Sequence, residues 1–161
     1  PRRRELSRKL GAHESFDPAH PGTPSRLVDT LAAHGGADLV YELTGNPAAL
    51  NLAIEACGFT GRIVVGSWYG QRQANINLGG KFHRARIKLI SSQVSNLSPE
   101  LTGRWNKARR LEVTWQWLRK IDPVRFITRR FPLAQAGEAY RLLDEDPSKE
   151  LQIVFTYAHE N

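Results

Sequence analysis

Two short apolar runs in the middle of the chain, separated by one helix-like segment, constrain the fold more than any other feature. The first reads Asp-Leu-Val-Tyr-Glu-Leu-Thr-Gly over residues 38–45, and the second reads Gly-Arg-Ile-Val-Val-Gly-Ser over 61–67. Pro47 to Cys57 lies between them and reads as a helix whose apolar face ends at Cys57. An apolar run that closes on small residues suits a buried parallel strand whose carboxyl end opens onto a ligand crevice. Strand, helix and strand in this order predict an α/β fold built on a doubly wound parallel sheet.

The flanking segments extend the pattern. Leu6 and Leu10, four apart and followed by Gly11, predict a short amphipathic helix over 2–10. His13 to Phe16 reads as a short strand, and the proline-rich stretch from Asp17 to Pro24 as a loop. Ser25 is placed to cap a helix running to His34, which Gly35 and Gly36 stop. Residues 68–86 read as irregular, and 87–94 as a third buried strand. A long helix is expected from Pro99 to Ile121, with Trp105, Leu111, Trp115 and Leu118 near a 3.6-residue period. A strand at 125–131, a helix at 133–144 and a final strand from Leu151 to Tyr157 complete the pattern.

The chain of 161 residues is 40% hydrophobic and 24% charged, a composition that supplies a core and excludes a disordered chain. A single cysteine, Cys57, rules out an internal disulfide framework, argues against a cysteine-based zinc site and fits a reducing, cytoplasmic setting. No apolar run approaches the roughly 20 residues that span a bilayer, so no membrane partner is expected. A first residue of Pro and the absence of any Met point to a fragment of a longer product. The net charge of +7 invites a nucleic-acid partner. The basic residues cluster at Arg2, Arg3, Arg4 and Arg8, and again at Arg104, Lys107, Arg109, Arg110, Arg119 and Lys120. Mixed with Glu5, Leu111, Glu112 and Trp115, they read first as solvated helix faces. Attraction of a cofactor or anionic substrate, and a nucleic-acid surface, stay open as alternatives.

The strand ends carry the residues of chemical interest. Thr44-Gly45, Gly66-Ser67 and Ser91-Ser92 each follow a predicted strand, so a parallel sheet would set them on one edge. Small residues let the backbone come close to a flat ligand, and the hydroxyls supply hydrogen bonds. The five histidines show no pattern of metal-ligand spacing, and no hydrolase motif is present. A Gly-x-Gly-x-x-Gly loop is also absent, so the chain reads as the back part of a dinucleotide-binding enzyme.

Four segments together resemble the medium-chain dehydrogenase/reductase superfamily, and within it the zinc-type alcohol dehydrogenase-like proteins. They are Arg-Arg-Glu-Leu-Ser-Arg-Lys-Leu-Gly-Ala (3–12), Asp-Leu-Val-Tyr-Glu-Leu-Thr-Gly (38–45), Gly-Arg-Ile-Val-Val-Gly (61–66) and Phe-Pro-Leu-Ala-Gln-Ala-Gly-Glu-Ala-Tyr (131–140). The run Arg-Trp-Asn-Lys-Ala-Arg-Arg (104–110) resembles one bacterial subgroup. The resemblance implies NAD or NADP as cofactor and hydride transfer to or from a small alcohol or carbonyl substrate. It implies a cofactor role for Arg3 at the adenosine ribose, for Leu43, Thr44 and Gly45 in one turn, and for Val65, Gly66 and Ser67 in another. Ser91, Ser92 and Gln93 would stand beside the nicotinamide. Trp68 and Tyr69, after the second turn, read first as loop packing, with a place lining the substrate pocket as the alternative.

By the same resemblance, no catalytic residue and no metal ligand lies in this chain. The zinc ligands, the first two cofactor-domain strands and the glycine-rich loop would precede residue 1, leaving a fragment inactive alone, with a gap in its sheet. Residues 1–94 would be a partial dinucleotide-binding domain, and 95–161 a segment returning to the missing catalytic domain, its last strand without an obvious partner. A non-catalytic nucleotide-binding or regulatory protein of the same fold, or a basic nucleic-acid-binding module, are the alternatives, and assembly into a homo-oligomer is left open.

Overall fold

The computed structural model describes residues 2–17, 19–146 and 148–157. Pro18, read above as part of a loop, and His159, one of the five histidines, lie outside them. The chain divides into two compact units, one from Phe16 to Leu97 and the other combining the residues up to Ser15 with those from Ser98 onward.

The first unit holds α2 (Thr23–Ala32), β1 (Ala37–Glu42), α3 (Ala49–Ala56), β2 (Cys57–Val65) and β3 (Lys88–Ser91). The strands form a parallel sheet in the order β1-β2-β3, the α/β architecture expected from the alternating pattern. Leu50, Ala53 and Ile54 on α3 recur at helical spacing, and they pack with Cys57, Ile63 and Ile87 as the core. Cys57 and Ile63 are fully buried because β2 is the middle strand and α3 covers it.

A close backbone approach sets where β1 and β2 begin. A Cβ added at Gly36, whose φ is +93°, would lie 2.5 Å from Gly58 Cα, and one at Gly61 would lie 2.5 Å from Cys57 Sγ. Side chains at these positions would force the two strand entries apart.

The second unit holds α1 (Arg2–Lys9), α4 (Lys107–Ile121), β4 (Ile127–Pro132), α5 (Ala136–Glu145) and β5 (Gln152–Thr156). Gly11 ends α1 with φ +102°, and the Gly11 and Ala12 amides donate back to the Arg8 and Ser7 carbonyls at 3.0 Å each, a Schellman cap. Arg2 and Arg3 donate to the Lys149 and Glu150 carbonyls, both at 2.9 Å, which ties α1 to the segment leading into β5. Glu150 is 4% exposed and takes a 2.7 Å ion pair from Arg129 Nε. Tyr140 on α5 meets Phe155 on β5 at a centroid distance of 6.3 Å.

Several expectations are corrected. No strand forms at 13–16, where Ser15 is held by the side chains of Ser7 and Arg8 and no neighbouring strand supplies a ladder. The three strands that form in the first unit are contiguous, so the expected gap in the sheet is absent among the described residues. Ser25 does not cap α2, because the fixed φ of Pro24 suits the first turn and starts the helix at Thr23. β3 is short, and all its residues are exposed, because it pairs on one side only, with β2. The helix expected from Pro99 splits into a 3-10 turn, Pro99–Leu101, and α4, whose start is set by Asn106 accepting from the Arg109 amide at 2.8 Å. The last strand does have a partner, since β5 pairs in parallel with β4. Among the described residues, no helix is long and apolar enough to cross a membrane.

A pair of substitutions tests the strand entries. At Gly35 an added Cβ meets nothing within 4 Å but φ is +80°, so Gly35→Ala is expected to cost about 1–2 kcal/mol of backbone strain. Gly36→Ala adds a clash with the Gly58 backbone and is expected to cost roughly 1–3 kcal/mol more by urea unfolding. Equal losses would show that the approach is not tight.

Candidate functional site

Parallel register sets the three strand ends of the first unit level with one another. Glu42 lies opposite Val65, and Val65 lies opposite Ser91. The turns Leu43-Thr44-Gly45, Gly66-Ser67 and Ser92-Gln93 therefore leave the sheet side by side at its carboxyl edge, where an open parallel sheet holds its ligands.

The first two turns are bound tightly to each other. The Gly66 amide donates to the Glu42 carbonyl at 3.0 Å, and the Gly45 amide donates to Ser67 Oγ at 2.9 Å. Ser67 Oγ in turn donates to the Glu42 carbonyl at 3.4 Å, and Arg72 Nη1 donates to the Gly45 carbonyl at 2.8 Å. Gly45 takes a φ of +71°, which lets the chain turn sharply off the end of β1. A Cβ at Gly66 would lie 2.6 Å from Leu43 Cδ2, the end of an exposed side chain that would have to move aside.

At the centre of this knot is a carboxylate that the reading of the sequence passed over. Glu42 closes β1 and is 3% exposed. Its Oε1 accepts from the Thr44 amide at 2.7 Å and from the Thr44 hydroxyl, and its Oε2 accepts a short hydrogen bond from the Tyr69 hydroxyl. Burial works against the charge, but the bonds from the Thr44 hydroxyl, the Tyr69 hydroxyl and the Thr44 amide outweigh it and lower the pKa from 4.5 to about 2. Burial and the bond to Glu42 push the Tyr69 phenol up from 10.0 to about 12. The signal available in the sequence was a carboxylate at the last position of a strand, but Asp38 in the same strand carries one too and is exposed, so residue type alone did not single out Glu42.

The other expected site residues fall as follows. Ser91 ends β3, and the Ser92 amide donates to the Val65 carbonyl at 2.8 Å, which joins the third turn to the second. Gln93 uses its side-chain oxygen on the Ser95 amide, within its own segment. Arg3 belongs to the other unit, where it holds the Glu150 carbonyl. Tyr69 points onto Glu42, whereas Trp68 is 91% exposed. Beside the knot, Pro47, Leu50, Tyr69, Arg72 and Gln73 are among the residues lining an open cleft of about 570 Å³.

No group of three His, Cys, Asp or Glu side chains converges among the described residues. Cys57 is fully buried, and burial pushes its thiol pKa up, away from the thiolate that a zinc ion requires. A flat ligand bound along the strand ends fits better, since three adjacent turns with small residues and hydroxyls present themselves at one level.

Acid titration tests the knot. The folded-state pKa of Glu42 lies below its ordinary value, so its contribution to stability is complete above about pH 4.5 and fades as the pH falls toward about 2. Between pH 7 and pH 3 the denaturant midpoint of the protein is expected to fall further than that of Glu42→Gln, whose amide does not titrate. An equal fall would show that the bonds are not made to an ionised carboxylate.

Comparison with known proteins agrees with this architecture. An uncharacterised zinc-type alcohol dehydrogenase-like protein of Escherichia coli K12 is 30% identical over 145 residues, 89% of this chain and 37% of that protein. An alcohol dehydrogenase structure from Thermotoga maritima superposes with a TM-score of 0.78 at 19% identity, covering 98% of this chain and 41% of that one. The NADH complex of a short chain alcohol dehydrogenase from Escherichia coli CFT073 gives a TM-score of 0.72 at 18% identity, covering 96% of this chain and 41% of that one. The chain thus spans less than half the length of each of these proteins, and the two structures share its Rossmann-like fold. The sequence profile of the zinc-binding dehydrogenases matches residues 1–111, more than half of the chain. On that match, and in keeping with the resemblance read from its four segments, the chain belongs to the zinc-binding dehydrogenase family.

Proposed function

We propose that this chain forms the cofactor edge of an NAD(P)-dependent oxidoreductase that moves hydride between nicotinamide and an alcohol or carbonyl carbon. The observation that carries this reading is the level carboxyl edge of β1, β2 and β3, with small residues on all three turns. When bound, the nicotinamide supplies the hydride chemistry. This chain's part is to bind and orient it. Leu43, Thr44 and Gly45 together with Val65, Gly66 and Ser67 form one side of the crevice, and Ser91, Ser92 and Gln93 the other. Residues 1–94 act as part of a dinucleotide-binding domain and 95–161 as a segment returning to a catalytic domain.

By the family resemblance, a metal that polarises the substrate oxygen would be held by residues other than those described here. On this reading the 161-residue chain alone turns over no substrate.

Titration of NADH and NADPH by fluorescence tests the proposal, using the protein expressed from its complete reading frame with the 161-residue chain alongside. Saturable binding by the full protein is expected. Gly66→Trp should weaken it at least about tenfold, or roughly 1.4 kcal/mol, because an indole at that turn displaces Leu43 and fills space at the strand ends. A folded full-length protein that binds neither nucleotide would favour a non-catalytic member of the family.

A further inference from the structure

The two sides of the crevice are built differently. Residues 42–45 and 66–72 are joined by five hydrogen bonds: Gly66 N to Glu42 O, Ser67 Oγ to Glu42 O, Gly45 N to Ser67 Oγ, Tyr69 Oη to Glu42 Oε2 and Arg72 Nη1 to Gly45 O. The third turn is joined to β2 beyond the strand ladder through the Ser92 amide, and its Gln93 side chain bonds within its own segment. One wall is locked and the other is lightly held.

A buried carboxylate is an expensive way to close a strand. An aliphatic side chain at position 42 would fill the same space without losing hydration, whereas an ionised group gives up its water to be buried. The side-chain bonds of Glu42 go to Thr44, Tyr69 and Ser67 on the two turns. Tyr69 packs its ring on that core while its hydroxyl reaches Glu42. The pair therefore connects the interior of the unit to the lip of the crevice.

We propose that Glu42 and Tyr69 are positioning residues that lock the β1 and β2 turns into one rigid wall against which the cofactor's nicotinamide half is oriented. This inference rests on the cofactor reading given above. Neither side chain is asked to touch the cofactor. Their effect is to fix Thr44, Gly45 and Ser67 before it arrives, so that less conformational freedom is lost on binding.

Tyr69→Phe removes one hydroxyl and keeps the ring on the core, which makes it the primary test in the full-length protein. It is expected to raise the NADH or NADPH dissociation constant about tenfold, the size of one hydrogen bond to a charged group. In the absence of nucleotide, hydrogen exchange in peptides spanning 43–46 should speed up, while exchange in β3 stays unchanged. Glu42→Leu should show the same two effects more strongly. Glu42→Gln should restore both, since its oxygen still accepts from Thr44 and its amide can donate to the Tyr69 oxygen. A Tyr69→Phe protein with unchanged nucleotide affinity and unchanged exchange overturns the proposal, whether or not Glu42→Leu folds. If the unmodified protein binds no nucleotide, the cofactor reading fails by itself, and the lock is decided by exchange alone. Faster exchange at 43–46 then keeps the rigid wall, and unchanged exchange removes it.

Discussion

Strand β2 has a hydrogen-bonding neighbour on each side, and the position of every group at the crevice follows from that pairing. Its ladders to β1 and β3 hold Glu42, Val65 and Ser91 at one level, so three turns that are far apart in sequence leave the sheet together. The same central position buries Ile63 and Cys57 beneath α3. Close contact of Gly36 with Gly58 and of Gly61 with Cys57 lets the strands start near enough to pair. Removing that approach would move the crevice as well as the core, because parallel strands transmit a shift along their whole register.

Glu42 shows how a small unit keeps a buried charge. Its donors described here are neutral: an amide, a hydroxyl and a phenol. Together they outweigh the penalty of burial, and the carboxyl stays ionised far below its ordinary range. Directed hydrogen bonds fix geometry better than apolar contact does, since they are made only within narrow limits of distance and angle. A rigid turn at the mouth of a crevice is where such directionality is useful. The second unit uses a related device at Glu150, which is equally buried but paired with the Arg129 guanidinium.

Much of the sheet was legible in the sequence. Leu39, Val40, Ile63 and Val64, bounded by glycine and threonine, could hardly form anything but strands, and α3 follows from Leu50, Ala53 and Ile54 at helical spacing. The misreadings were local ones. His13 to Phe16 has a strand-like composition but lacks a neighbour, and Asn106 overrides the apolar period that suggested a helix from Pro99. Within the candidate site, the small residues at the turns stood out, whereas Glu42 did not, because an acid in a strand looks solvated, as Asp38 in β1 is, until its exposure is known.

The sequence by itself determined the alternation of strands and helices, the glycines at the strand entries and turns, and the family, because these depend on residue type and short-range spacing. The tertiary structure alone decided that Tyr69 reaches back 27 residues to Glu42, that Arg72 holds the Gly45 carbonyl, and that β5 pairs with β4. Such contacts depend on which strands pair and in what register. Pairing is settled by burial of the whole apolar surface at once, and no short stretch of the chain encodes it.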